Sequence, residues 1–140
     1  MDDIIILAAN WEQDNKELAR IRTRVFVDEQ KVPAGLESDG LDSECLHVKA
    51  LMNGVIIGTG RLLPNGFIGR MCVLEQHRNQ GIGAKMLNNL VQQAKNSGHK
   101  KVSLNSQSNA IPFYKKLGFT LNSEEFIEAG IPHRRMIMML

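Results

Sequence analysis

The chain has 140 residues, of which 43% are hydrophobic and 23% are charged, and this is typical of a single globular domain spanning residues 1–140. No apolar run approaches the ~20 residues of a transmembrane helix, and the acidic start Met1-Asp2-Asp3 predicts no cationic signal peptide. The net charge of +2 is uneven, with 6 Lys/Arg against 11 Asp/Glu in residues 1–60 and 11 against 4 in residues 61–140.

This charge pattern and the cysteine count limit the partners. A polyanion, if one binds, is expected on the basic second half; the alternative is that the charges are spread over solvated faces. No basic run exceeds two residues and aromatic residues are 5%, so nucleic acid is not an expected partner. Cys45 and Cys72 lack the spacing of a metal or redox motif, which predicts no metal and a reduced, cytoplasmic protein. The lack of a long apolar run predicts no membrane partner.

The first predicted elements are a strand and a helix. The run Ile4-Ile5-Ile6-Leu7 is β-branched and predicts a strand. Asp14 followed by Glu17 is typical of a capping box and predicts a helix that starts there. Apolar residues at helical spacing form its inner face: Leu18, Ile21, Val25 and Phe26. The segment Lys31 to Gly35 ends the helix, and an acidic loop follows it: Glu37, Asp39, Asp42 and Glu44.

Three consecutive strands are predicted next, joined by tight turns. Residues 46–50 alternate between apolar and polar side chains. Asn53-Gly54 is a strong signal for a type I′ hairpin, because both turn residues need a positive φ. The return strand covers residues 55–63, and Pro64-Asn65-Gly66 turns the chain into a third strand over residues 67–74. Two such turns in succession predict an antiparallel meander.

The second half begins with a helix that is apolar on one side: Ala84, Leu87, Leu90, Val91 and Ala94. Gly98 ends this helix, and residues 101–105 predict a strand. Asn109 is expected to cap a short helix with Pro112 in its first turn, and Gly118 stops it. Candidates for the closing strands are residues 119–121, 125–129 and 136–140. The order β-α-β-β-β-α-β-α-β-β predicts an α/β (α+β) layer with mixed strand directions.

The stretch Arg78-Asn79-Gln80-Gly81-Ile82-Gly83-Ala84 leads directly into the long helix. A helix N-terminus presents unpaired N–H groups and a partial positive charge, and glycines let the main chain approach an anion closely. With Arg78 as a bidentate donor, the stretch is a plausible pyrophosphate cradle; the alternative is a flexible turn. It is neither a P-loop nor G-x-G-x-x-G.

Two motifs together resemble the GCN5-related N-acetyltransferases, the GNAT superfamily, and its small bacterial single-domain members in particular. Arg78 to Ala84 resembles the R/Q-x-x-G-x-G/A pyrophosphate loop of that family. Ala110 to Phe119 resembles its A-x-x-[LF]-Y-x-K-x-G-F signature. The resemblance implies a mixed, mostly antiparallel sheet flanked by helices and an acetyl-CoA-dependent N-acyltransferase. It also implies direct attack by a small-molecule or peptide amine, and it allows a homodimer.

The resemblance further implies which residues bind the cofactor. The strand before the loop would hold the pantetheine and, with the N–H of Val73 as the best choice, the oxyanion. Gln107 stands where members commonly carry Asn, one methylene further out, which leaves that contact open. The full set comprises Met71, Cys72, Val73, Arg78, Asn79, Gln80, Gly81, Ile82, Gly83, Ala84, Gln107 and Tyr114.

Catalytic roles are assigned by chemistry. Tyr114, the only tyrosine, is expected to protonate the departing thiolate as a general acid; the alternative is a half-buried aromatic residue beneath the cofactor. Cys72 is expected to be a packed strand residue rather than a nucleophile, because no activating partner is visible. The base stays open among Glu29, Glu37, Asp39, His47, Glu128 and His133. Of these, His133 is favoured for direct substrate contact.

A second set of residues lies in the first half: Arg24, Glu29, Glu37, Asp39, Asp42 and Arg61. It resembles the charged network of acyl-homoserine-lactone synthases, with an R-x-x-V-F segment, an E-x-D-x-x-D cluster and a G-x-x-R-L-L-P strand. Arg24, Glu29, Glu37, Asp39 and Arg61 either contact the substrate, together with His133, or form a fold-holding network. The alternative functions are therefore a homoserine-lactone-type acyltransferase and a non-catalytic acyl-CoA sensor.

Overall fold

The structure is a computed structural model that describes residues 3–140. Met1 and Asp2, on which the signal-peptide expectation partly rests, lie outside the described residues. Among the residues from Asp3 onward, no helix has the length and apolar character needed to span a bilayer.

The described chain contains strands β1 to β8 and helices α1 to α4. The strands are β1 (Ile4–Ala9), β2 (Leu46–Met52), β3 (Val55–Leu62), β4 (Phe67–Val73), β5 (Lys101–Gln107), β6 (Thr120–Leu121), β7 (Phe126–Glu128) and β8 (Ile131–Met139). The helices are α1 (Trp11–Arg22), α2 (Ala34–Glu37), α3 (Ile82–Asn96) and α4 (Ile111–Lys116), and a π-helix, Thr23–Glu29, continues α1.

All strands form one sheet in the order β1-β2-β3-β4-β5-β8-β6, with β7 paired to β8. Every pair is antiparallel except β4 and β5, which run parallel. The predicted fold class, a mixed and mostly antiparallel sheet flanked by helices, is confirmed. The predicted hairpin is also confirmed, because Asn53 and Gly54 connect β2 to β3 with φ values of 51° and 81°.

The core lies between the sheet and helices α1 and α3. The buried face of α3 comprises Ile82, Met86, Leu87, Leu90, Val91 and Ala94, which agrees with the predicted apolar side except for Ala84. Leu18 and Ile21 of α1 are fully buried. These two helices pack against the first four strands, so the loop between β4 and α3 joins two elements of one packed layer.

Two predicted helix caps are wrong. Helix α1 begins at Trp11, because the side chain of Asn10 accepts a hydrogen bond from the Gln13 N–H (3.2 Å) and Asp14 accepts one from the Asn10 N–H (3.1 Å). Asp14 is therefore the reciprocal partner in the first turn and not the cap. At α4 the capping position is Ala110, without a side-chain bond; a 3₁₀ turn carries Asn109 into the helix instead.

Candidate functional site

A bulge in β4 opens the sheet at the centre of the site. Thr59 of β3 pairs with Cys72 and Arg61 pairs with Gly69, so Gly60 alone stands opposite two residues of β4. Such a bulge bends the strand that carries the extra residue. Before the bulge, β4 is paired with β5 at Phe67–Ser103 and Ile68–Leu104, and the described residues contain no further pair between these strands. The two strands separate after these pairs and leave space between them.

The first cleft, of about 460 Å³, lies between β4, α3 and α4. Its lining includes most of the predicted cofactor residues: Met71, Cys72, Val73, Arg78, Asn79, Gly81, Ile82, Gly83, Ala84 and Tyr114. Gln80 is exposed and lies outside this lining. The volume and the mostly apolar walls are typical of a small-molecule site.

The loop at the start of α3 has the geometry of an anion cradle. Asn79 and Gly81 adopt left-handed conformations, with φ values of 63° and 78°. Gly81 caps the helix without a side-chain hydrogen bond, so the first-turn N–H groups of α3 face outward without a competing side chain. A Cβ at Gly81 would meet no atom of residues 3–140 within 4 Å. The cradle therefore has room and donors for a diphosphate.

Arg78 is held beside this cradle by two contacts. Its Nε donates to the Val73 carbonyl (2.9 Å), and its two terminal nitrogens donate to the Glu29 carboxylate at 2.7 and 2.8 Å. The hydrogen bond from Arg78 lowers the pKa of Glu29 and raises that of Arg78. Glu29 stands at the end of the π-helix, so the predicted substrate residue Glu29 and the predicted phosphate donor Arg78 form one bidentate pair. The phosphate role of Arg78 stays a prediction.

The second cleft, of about 320 Å³, occupies the gap between β4 and β5. Its polar lining comprises Arg70, Asn105, Gln107, Tyr114, Glu128 and His133. Gln107, predicted to bind the cofactor, therefore lines this cleft and not the first. Met71 and Tyr114 line both clefts. The two clefts meet at these two side chains.

Tyr114 is positioned by neighbouring rings at this junction. Its ring packs edge-on against Phe113 and Phe119, with centroid separations of 5.0 and 6.1 Å. Burial raises the pKa of the Tyr114 phenol, so the group is protonated at neutral pH and can donate a proton. Both sequence interpretations, a general acid and a half-buried aromatic residue, agree with this position; the acid role stays a prediction.

His133 and Glu128 form the basic group of the second cleft. The Nδ1 of His133 lies 2.7 Å from the Ile131 carbonyl oxygen, and because a carbonyl only accepts, Nδ1 carries the proton. The remaining nitrogen, Nε2, is then the basic one in the neutral ring. Nε2 lies 3.6 Å from a Glu128 carboxylate oxygen. His133 is thus a predicted base candidate whose ring is held by the hydrogen bond at Nδ1; its role as the base stays a prediction.

Other predicted candidates for the chemistry are placed elsewhere or shielded. His47 is 1% exposed, stacks on Trp11 with centroids 4.9 Å apart, and lines neither cleft. Burial raises the pKa of the Cys72 thiol to about 12. A thiol with such a pKa is not a useful nucleophile at neutral pH, which agrees with the interpretation of Cys72 as a packed strand residue.

Most of the charged first-half residues form a buried ion-pair network. Arg22 binds Glu37 (2.6 Å) and both oxygens of Asp42 (2.7 and 3.0 Å). Arg61 binds Asp42 (3.0 Å) and both oxygens of Asp39. The side chains of Arg22 and Arg61 are only 3% and 4% exposed. Glu37, Asp39 and Arg61 line neither cleft, so the fold-holding interpretation accounts for their observed contacts.

Arg24 requires a correction. It was expected to pair with the acidic residues, but it is exposed and lies at a separate small pocket with Asp28 and Glu29, whereas Arg22 makes these pairs. The R-x-x-V-F pattern starts at Arg22 when its spacing is counted back from Val25. The spacing of the R-x-x-V-F pattern therefore identifies Arg22, and not Arg24, as the arginine of the network.

Asp42 is the residue on which this network most depends. We expect Asp42→Asn to lower the free energy of unfolding by about 3–5 kcal/mol, because it leaves two buried guanidinium groups without their shared anion. Urea unfolding at neutral pH measures the change. The matched control is Glu17→Gln, which removes the exposed pair with Arg20 and should cost less than about 1 kcal/mol. Equal costs for the two variants would contradict the role assigned to Asp42.

Sequence reasoning missed several residues of the site. Val25 and Gln30 reach the first cleft from the π-helix and its end, and Phe113 reaches it from α4. No short pattern signals a π-helix, so the direction of these side chains could not be predicted. Arg70 was also missed, because it belongs to no motif and its place depends on the bulge in β4.

Comparisons with known proteins show which family this chain is similar to. A family model described as an acetyltransferase (GNAT) domain matches residues 10–140. The chain is 40% identical over 136 residues to the uncharacterized N-acetyltransferase YjcF of Bacillus subtilis, covering 94% of this chain and 96% of that protein. An acyl-CoA N-acyltransferase from Pseudomonas aeruginosa has a TM-score of 0.83 at 29% identity, with 99% of each chain covered. A GNAT family acetyltransferase from Elizabethkingia anophelis, solved with acetyl-CoA bound, has a TM-score of 0.71 at 21% identity, with 100% of each chain covered.

Proposed function

This chain belongs to the GNAT acetyltransferase family and is an acyltransferase, and from this premise we propose that it transfers the acyl group of acetyl-CoA directly to an amine. The observation that carries the proposal is the junction of the two clefts at Met71 and Tyr114. One cleft has an anion cradle at its entrance and the other has a basic group on its wall. Two substrates that enter from opposite sides would therefore meet beside the same phenol.

The first cleft fits coenzyme A by the character of its residues. The main-chain N–H groups of Gly81 to Ala84 would hold the diphosphate, and the exposed edge of β4 from Met71 to Val73 would hold the pantetheine arm. The solved relative with bound acetyl-CoA supports this choice of cosubstrate. When bound, acetyl-CoA supplies a reactive thioester. The chain itself has to orient it, remove a proton from the amine and provide one to the leaving sulfur.

Three groups of this chain suit those tasks. Because Nδ1 of His133 donates to a carbonyl, Nε2 is the nitrogen that would take a proton from the attacking amine. The Val73 N–H is our choice for stabilising the charge that develops on the acyl oxygen. Tyr114 holds a proton at neutral pH and donates it to the sulfur. Because Cys72 has a pKa of about 12, direct attack by the amine is favoured over an enzyme thioester. The free thiols of Cys45 and Cys72 suit a cytoplasmic enzyme.

Release of free CoA in the presence of different amines tests this proposal. Small amines, amino acids, amino sugars and short peptides are each mixed with the protein and acetyl-CoA, and free thiol is followed over time. We expect acceptor-dependent release with at least one class. If acetyl-CoA binds tightly but no amine stimulates release, the chain is an acyl-CoA sensor and the proposed transfer is refuted.

A further inference from the structure

Arg70 has an unusual conformation for an arginine. It is one of the two bulged residues of β4, and its φ of 52° lies in the left-handed region. Glycine adopts this conformation without strain, whereas a side chain with a Cβ does not. If position 70 had only to form the bulge, glycine would therefore be less strained there than arginine. Strained residues of this kind cluster where the side chain has a task, so the contacts of the Arg70 guanidinium are informative.

Two of the three guanidinium nitrogens of Arg70 donate hydrogen bonds to the protein. Nε donates to the Glu37 carbonyl (3.3 Å), and Nη2 donates to the carbonyls of Leu36 (3.1 Å) and Glu37 (3.2 Å) and weakly to Asp39 (3.4 Å). Across the described residues, Nη1 makes no hydrogen bond. The side chain is 28% exposed, and Arg70 lines the second cleft. A residue that lines this cleft thus keeps one guanidinium nitrogen without a hydrogen-bond partner among the described residues.

The neighbouring carboxylates lie closer to the positive charges of Arg22 and Arg61 than to that of Arg70. Glu37 lies 2.6 Å from Arg22 but 4.0 Å from Arg70, and Asp39 is shared with Arg61. Burial and the charge of Arg61 accordingly lower the pKa of Arg70, whereas the pKa values of Arg22 and Arg61 are raised. An additional anion in the second cleft would complete the compensation of Arg70.

The opposite wall of the second cleft carries groups that suit an amine. Glu128 accepts a hydrogen bond from the Asn105 amide (3.2 Å) and lies 3.6 Å from the Nε2 of His133. A carboxylate attracts an ammonium group, and the imidazole can then take its proton. The cleft therefore presents a cation on β4 and an anion with a base on β7 and β8. Its charges complement a molecule that carries both an amine and an anionic group.

We propose that the acceptor is a small amino acid, whose carboxylate binds Arg70 and whose amine lies towards Glu128 and His133. This inference rests on the proposed acyl transfer and names its acceptor class. A carboxylate fits better than a phosphate, because one remaining guanidinium nitrogen suits a single negative charge and a phosphate requires several donors. The volume of about 320 Å³ suits a small molecule rather than a folded protein segment.

The test compares linear amino acids, with the amine at the α, β or γ carbon, with the corresponding carboxamides. For the wild-type protein we expect kcat/KM for CoA release to be about 10- to 100-fold higher with the best carboxylate than with its amide, the size of one charge-assisted hydrogen bond. Equal or better turnover of the amides would overturn the proposal. Because the comparison changes only the substrate, it does not depend on how any variant folds.

Variants of Arg70 then assign the preference to this residue. Arg70→Met should remove most of the carboxylate preference while turnover of the amide changes much less, and Arg70→Lys should retain part of it. The control Arg20→Met removes an exposed positive charge on α1 and should keep the full preference. A carboxylate preference that survives Arg70→Met would overturn the role of Arg70.

The experiment separates this inference from the proposed function. If amines without a carboxylate release CoA as well as the amino acids do, acyl transfer stands and only the acceptor class is wrong. If no amine of either kind releases CoA, both are wrong. If Arg70→Met is unfolded by circular dichroism, the wild-type comparison of carboxylate and amide still decides the acceptor class. The residue is then tested by Arg70→Lys, and a full wild-type preference in that variant would overturn the role of Arg70.

Discussion

Replacing Tyr114 with phenylalanine is expected to lower kcat by about 10²- to 10⁴-fold, the usual contribution of a general acid. The Kd for acetyl-CoA should change little, because the ring still packs between Phe113 and Phe119. Steady-state kinetics of CoA release and a direct titration of acetyl-CoA measure the two effects separately. Unchanged kcat would remove the acid role and leave Tyr114 as a packing residue.

The leaving group provides a second readout for Tyr114. A thioester of an aromatic thiol has a leaving group of lower pKa, which departs without a proton. With such a donor, the ratio of kcat between wild type and Tyr114→Phe should fall towards one. A packing defect would slow both donors equally, and this outcome would assign the loss to misplaced substrates rather than to proton donation.

Replacing Gly81 with aspartate is expected to abolish useful binding of acetyl-CoA. With an effective dielectric constant of about 20, two unit charges about 5 Å apart repel by about 3 kcal/mol, so the affinity should fall by about 10²-fold or more. The helix itself should not be destabilised by the charge, because an acidic residue is favourable at a helix N-terminus. Calorimetric titration with acetyl-CoA and a thermal unfolding curve measure the two properties.

Gly81→Asn is the matched control for the aspartate variant. Asparagine has nearly the same size, is neutral and tolerates the left-handed conformation that Gly81 adopts, with φ of 78°. No described protein atom lies within 4 Å of a Cβ at this position, so the asparagine variant should fold, and its loss of affinity measures crowding of the diphosphate alone. We expect this loss to be smaller than that of the aspartate variant. If both variants lose binding equally, crowding rather than charge explains the effect. If the aspartate variant binds as tightly as wild type, the cradle is not the diphosphate site.

The features that the sequence predicted well depend on local chemistry. Asn53 and Gly54 form the predicted hairpin because left-handed conformations are accessible to few residues. Gly81 and the apolar spacing of α3 likewise locate the start and the buried face of that helix. The family prediction, made on two motifs, is confirmed by a model match over residues 10–140.

The features that were missed depend on contacts between distant segments. The capping of α1 was shifted because Asn10 and Asp14 both carry suitable side chains, and only the observed hydrogen bonds decide between them. The bulge in β4 arises from its register with β3, which no short pattern records. Arg70 and the second cleft follow from that bulge, so the acceptor side of the site was visible only after the strands had been placed.

A crystal structure of the protein with CoA tests the central claim most directly. The account predicts that the diphosphate lies on the main-chain amides between Arg78 and Ala84, and that the sulfur lies where the clefts meet, beside Met71 and Tyr114. Movement of the Arg78 side chain away from Glu29 towards the diphosphate would also agree with it. A CoA molecule bound on another surface, or a sulfur directed away from Tyr114, would contradict the account.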